Sequence, residues 1–218
     1  MKKTVCLFLA LGLLFLAACG AAEPEPVVTP EPTAAPTATP EPSRVLVVYF
    51  SRAGEQPEVG TIEKGNTAIV AECISRRLRA ELYEIQTTEN YYPESLEELY
   101  AAALAEQENK TRPPIVGVLP DLDEYDTVFI GGPVWHGDWP MIVYIYIEGA
   151  DLSGKQVIPF CTSEGSGITA LRKNLALALP LSRVEPGLAI RGHNAQERPE
   201  EVQETVDRFL RDLGFSLT

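Results

Sequence analysis

Histidine, methionine and tryptophan are scarce in this chain, with two of each among 218 residues. Four cysteines and two histidines are spread along the sequence, and none of their spacings resembles a zinc site. Basic residues are short as well: 18 Lys and Arg stand against 31 Asp and Glu, a formal charge of −13. That balance argues against nucleic acid as a partner, because its phosphates would be repelled. An anionic bilayer would repel the chain too. No G-x-x-x-x-G-K-[ST] and no G-x-G-x-x-G is present, which removes the usual nucleoside-triphosphate and dinucleotide loops. A hydrolase elbow around Ser166 is excluded because Glu164 stands where G-x-S-x-G needs glycine.

The amino-terminal residues have a distinct layout. Lys2 and Lys3 precede an apolar stretch from Val5 to Phe15, and small residues follow. That stretch is well short of the roughly 20 residues that span a bilayer, and the whole of 1–18 has the layout of a signal peptide. Leu16-Ala17-Ala18-Cys19-Gly20 resembles the bacterial lipobox, which implies lipidation of Cys19; a cleaved signal with an incidental Cys is the other reading. Seven of the 24 residues from 20 to 43 are proline, which removes amide donors and fixes φ. Residues 19–43 are therefore expected to form a lipidated, semi-rigid tether. Residues 44–218 are long enough for one domain with a sizeable core. Removing Lys2 and Lys3 with the signal takes the formal charge from −13 to −15. Cys73 and Cys161 fall in apolar patterns and are expected to be buried free thiols, although a disulfide is permitted outside the cytoplasm.

Within the domain, Val45 to Phe50 is a continuous apolar, β-branched run, as in a strand buried on both faces of a parallel sheet. Ile69, Val70, Cys73, Ile74 and Leu78 recur at helical spacing. Leu82 to Ile85 alternates like a strand, and a helix is expected from near Pro93 to about Glu108. Thr127 to Ile130 is a third strand, cut off by Gly131-Gly132-Pro133. Met141 to Ile147 has strand-favouring residues, but its place between two strands argues for a crossover helix. Gln156 to Phe160 is a fourth strand, Leu171 to Leu179 a helix, and Val184 to Ile190 a weaker fifth strand. Val202, Val206, Phe209, Leu210 and Leu213 make the apolar stripe of a last helix. This alternation implies an α/β fold with a parallel sheet covered on both faces.

Ligands of such sheets bind at the carboxyl ends of the strands. Three loops there stand out. After strand one come Ser51-Arg52-Ala53-Gly54, a ten-residue stretch, and Gly65-Asn66-Thr67. Gly65 permits close backbone approach; Asn66 and Thr67 are expected to provide side-chain donors and to open a helix whose free amides attract an anion such as phosphate, with Ser51 supplying another hydroxyl. An ordinary helix start would look similar. After strand three, Gly131 to Pro140 includes Pro133, Val134, Trp135, His136 and Gly137. An exposed aromatic at a strand end suits a flat heterocycle, which is the reading for Trp135, and core packing is the alternative for either Trp. His136 is either a donor to the ring or a solvated residue. After strand four, Thr162, Ser163, Gly165, Ser166 and Gly167 form a loop that alone would pass for a Gly-rich turn.

Together these loops resemble the flavodoxins. Strand one, Ser-x-x-Gly and Gly-Asn-Thr are similar to the FMN phosphate loop. The likeness is closest to the branch whose loop carries an insert ending in Lys-Gly-Asn-Thr, here Lys64 to Thr67. Ala53 departs from the hydroxyl residue usual in the compact loop. The resemblance implies a three-layer, five-stranded parallel sheet in the order 2-1-3-4-5. It also implies FMN as the cofactor, held by Ser51, Arg52, Gly65, Asn66 and Thr67 at the phosphate. Residues 133–137 would border the ring, and Thr162, Ser163, Gly165, Ser166 and Gly167 would run along its edge. The function implied is electron transfer or small-molecule reduction, in which an acidic surface guides a basic redox partner. A surface module that has lost the cofactor is the alternative.

Overall fold

A computed structural model describes residues 44–89 and 91–218. The signal segment, Cys19 and the Pro-rich stretch lie outside the described residues. The domain begins with β1 (Val45–Tyr49), a hairpin of β2 (Gly54–Gln56) and β3 (Gly60–Ile62), and α1 (Asn66–Leu78). β4 (Glu81–Glu84), α2 (Leu96–Asn109), β5 (Thr127–Pro133) and α3 (Met141–Gly149) follow. β6 (Gln156–Ser163) and α4 (Thr169–Ala178) come next, then β7 (Arg183–Val184) and β8 (Leu188–Arg191). Two helices, α5 (Gly192–Glu197) and α6 (Pro199–Asp212), end the chain.

The main sheet runs β4-β1-β5-β6, all parallel, with β7 and β8 both pairing with β6. Counted along the chain, this is the expected 2-1-3-4-5 order, with the fifth strand in two pieces. Period-two alternation divides β1 between the layers. Leu46, Val48 and Phe50 pack with α2, α3 and α4, while Val45, Val47 and Tyr49 pack with α1 and α6. The last helix turns Val202, Val206 and Leu210 into that second layer, as its stripe predicts. Met141–Gly149 is the crossover helix. Cys73 and Cys161 are buried free thiols.

Three local expectations need correction, and the stretch after Gly54 gains a structure. The Gly131-Gly132-Pro133 run does not end the third strand but belongs to it, paired with Phe160, Cys161 and Thr162. A Cβ at Gly131 would lie 2.0 Å from the Phe160 ring, so glycine is what lets the strand continue there. The second helix begins at Leu96 rather than near Pro93, because Ser95 caps it by accepting from Glu98 N at 3.2 Å. The ten-residue stretch after Gly54 contains the β2–β3 hairpin, turned through Glu58 and Gly60 at positive φ (67° and 68°). The fifth strand is split at Glu185-Pro186-Gly187, beside Pro159 of β6. Pro159 has no N–H for a ladder, and Gly187 lies so close that a Cβ would sit 2.8 Å from Pro159 O.

Candidate functional site

The three loops meet at the carboxyl end of the sheet. Asn66, Pro133, Val134, Trp135 and the 162–166 loop line a cavity of about 360 Å³. A smaller recess adjoins it, bounded by Ser51, Arg52, Gln56 and Thr67 together with Asn66, Pro133, Trp135 and Thr162. Thus Ser51, Arg52, Asn66, Thr67, Pro133, Val134, Trp135, Thr162, Ser163, Gly165 and Ser166 are gathered in one place. Gly65, His136, Gly137 and Gly167 lie outside these two linings.

Each side chain has a definite local cause for its position. Gly65 is the N-cap of α1, and a Cβ there would be 2.2 Å from Ser51 Oγ and 2.5 Å from Arg52 O. That close approach brings Ser51 Oγ to accept from Ala68 N at 3.0 Å. The amides of Asn66 and Thr67 have no acceptor among the described residues and sit at the positive end of the helix. The Thr67 hydroxyl is paired with Thr162 Oγ1 at 2.7 Å, a buried bond that ties α1 to β6. Asn66 Oδ1 accepts from Gln196 Nε2 at 2.8 Å.

Arg52 bounds the recess, but its guanidinium is spent on backbone carbonyls. Its guanidinium donates to Pro93 O, Glu94 O and Glu55 O, and burial lowers its pKa. Lys64 pairs with Glu72. Trp135 lines the cavity but is buried, at 6% exposure, rather than standing as an exposed platform. Its position is fixed by edge contacts to Phe50 (5.5 Å) and Tyr92 (5.0 Å). Trp139 is core, donating Nε1–H to Leu171 O at 3.0 Å. His136 and Gly137 form a tight turn with positive φ (47° and 79°), closed by reciprocal bonds between Trp135 and Asp138. His136 Nε2 lies 2.8 Å from Tyr100 O, so this residue braces the loop against α2.

Several lining residues are new. Gln56 and Pro57 come from the hairpin, Leu96, Leu99 and Tyr100 from α2, Glu164 from the loop after β6, and Gly192 from the start of α5. Gly192 follows the fifth strand at its carboxyl end, so the rule that found the other loops also reaches it. Nothing in the sequence announced the α2 face. Burial, reinforced by the Glu164 charge, raises the Tyr100 pKa. Among the described residues no cluster of three or more His, Cys, Asp or Glu has the arrangement of a metal site.

A family model described as flavodoxin matches residues 44–208. The chain belongs to the flavodoxin family. Among solved structures it is similar to a putative flavoprotein from Bacteroides eggerthii, with 27% identity and a TM-score of 0.63. That match covers 80% of this chain and 99% of the other. A putative flavoprotein from Bacteroides uniformis matches at 28% identity and a TM-score of 0.60, over 78% of this chain and 99% of that one. A flavoprotein from Lactobacillus acidophilus in complex with FMN shares the fold at 22% identity and a TM-score of 0.55. It covers 71% of this chain and 97% of its own. No curated protein matches.

Proposed function

We propose that this chain binds FMN without a covalent link and serves as an electron-transfer protein or small reductase. One observation carries this reading: the amides of Asn66 and Thr67 have no acceptor among the described residues, and Asn66 lines a cavity of about 360 Å³ walled by the other two loops, with Thr67 in the adjoining recess. That volume lies within the range of roughly 300–1,000 Å³ typical of small-molecule sites. The residues present fit a phosphate ester. The helix end offers partial positive charge and two unspent donors, and Gly65 lets the Ser51–Arg52 segment lie directly against the helix start. Arg52 and Lys64 are already engaged, so the phosphate would be held by amides and hydroxyls. The 133–135 and 162–166 segments would orient the ring and keep water from one side of it. When bound, the flavin itself supplies the redox chemistry.

The same reading places the domain outside the cytoplasm, anchored by lipid on Cys19 and held off the bilayer by residues 20–43. Its redox partner would be a basic protein or a small electron acceptor, matching the acidic charge. Purification of the full chain from bacterial membranes tests both halves. The protein should be yellow, release FMN at one per chain on denaturation, and leave the membrane fraction when Cys19 is replaced by Ala. A colourless protein that takes up no added FMN contradicts the first half; undiminished membrane attachment of Cys19→Ala contradicts the second.

A further inference from the structure

Glu164 lies between the cavity and the start of α5. Its Oε1 accepts from His193 N at 2.9 Å, and its Oε2 faces His193 Nδ1 at 2.6 Å. Both side chains are largely buried, at 23% and 22% exposure. A carboxylate only accepts, so Nδ1 must carry the hydrogen, and Nε2 is left as the atom that can gain a proton. Nε2 has no partner among the described residues. Glu164 and Gly192 both line the cavity. A Cβ at Gly192 would be 2.6 Å from Asn66 Nδ2 and 2.7 Å from Glu164 Oε1, so the pair, the start of α1 and the cavity wall are in contact.

We propose that the Glu164–His193 pair is a proton-uptake site coupled to reduction of the bound flavin. The inference rests on the FMN reading above. An electron that leaves a negative charge on the ring stands beside a carboxylate already charged. Protonation of His193, which is hydrogen-bonded to that carboxylate, offsets that repulsion. One electron enters from a one-electron donor, one proton enters from solvent onto Nε2, and the charge of the site is unchanged. Imidazole is the side chain whose ordinary range, about pH 5 to 8, makes such uptake possible near neutrality. Other ionisable groups stand on the surrounding elements. Tyr100 lies across the cavity on α2, Lys64 and Glu72 are paired at the start of α1, and Arg191 ends β8. Glu197 and Arg198 lie at the corner between α5 and α6. Among the described residues, Glu164 is the hydrogen-bond partner of the imidazole.

The chain has two histidines, so an NMR titration of its imidazoles has two signals, and His193→Gln assigns one by removing it. In the FMN-loaded full-length protein in detergent, His193 should titrate at higher pH after dithionite reduction than before. Between those two points, the potential of the electron step that adds no proton to the ring should fall with pH. The slope should approach about 59 mV per pH unit, the one-electron equivalent of a tenfold change. His193→Gln keeps a donor toward Glu164 and should abolish that slope, which a merely structural pair would not do. FMN bound, with His193 titrating identically in both redox states or with the slope intact in His193→Gln, overturns the inference alone. A chain that binds no FMN overturns the functional reading as well.

Discussion

At the residue scale, the site depends on places where a side chain is missing. Gly65 has ordinary backbone angles (φ −64°), so its importance comes from space rather than from strain. Alanine there would meet Arg52 O at 2.5 Å, and the backbone of one segment would have to move. Gly65→Ala should cost about 1–3 kcal/mol of stability, as overpacking does, and weaken FMN binding. Urea unfolding and flavin titration on the same variant check both effects. Gly131 follows the same logic against Phe160, and here the sequence misleads: Gly-Gly-Pro reads as a strand end, while its role is to let an aromatic ring cross. The cysteines were legible because their neighbours are apolar. Burial pushes the Cys161 thiol to about 12 and raises that of Cys73. At neutral pH and without denaturant, iodoacetamide followed by peptide mass mapping should leave both unmodified. Alkylation of Cys161 at the rate of a free thiol would contradict this burial.

Elements that bury a continuous stripe or run were legible, and elements that depend on distant partners were not. β1, β6 and α6 carry patterns that only one environment satisfies. The hairpin β2–β3 has no apolar pattern, and its place is set by bonds from outside it. Glu55 Oε2 accepts from Leu96 N at 2.8 Å, and Arg52 grips the Pro93 and Glu94 carbonyls. Sequence spacing does not reveal such latches. Arg52→Ala should release the wall formed by Gln56 and Pro57, so that FMN dissociates faster in stopped-flow exchange; an unchanged rate would show that the latch does not hold the ligand. α2 carries a further consequence. Burial raises the pKa of Glu106, against the opposing effect of bonds from Tyr91 and Tyr92. A raised carboxyl pKa means that stability is greatest below the unfolded-state value of about 4.3 and declines as pH rises through the folded value. Glu106→Gln should therefore gain stability relative to the parent as pH rises from 4 toward neutrality, measured by urea midpoints. A pH-independent difference would contradict that sign.

At the scale of the whole molecule, alternation of strands and helices was enough to give the layers, and the resemblance to flavodoxins supplied the strand order. Local chemistry at three strand ends was enough to find most of one cavity. What remained hidden were its far walls, the hairpin residues Gln56 and Pro57 and the α2 face with Tyr100. These come together only when the sheet is assembled. The central claim is that this cavity recognises a phosphorylated flavin through the end of α1. Two unspent amides bonding a charged phosphate contribute roughly 1.5–3 kcal/mol each, and about 1.4 kcal/mol is a tenfold change in affinity. Titration of the apoprotein with FMN and with riboflavin, followed by flavin fluorescence, tests this most directly. FMN should bind tighter than riboflavin by about 10²- to 10⁴-fold. Equal affinities for the two flavins, or no binding of FMN, would contradict the account.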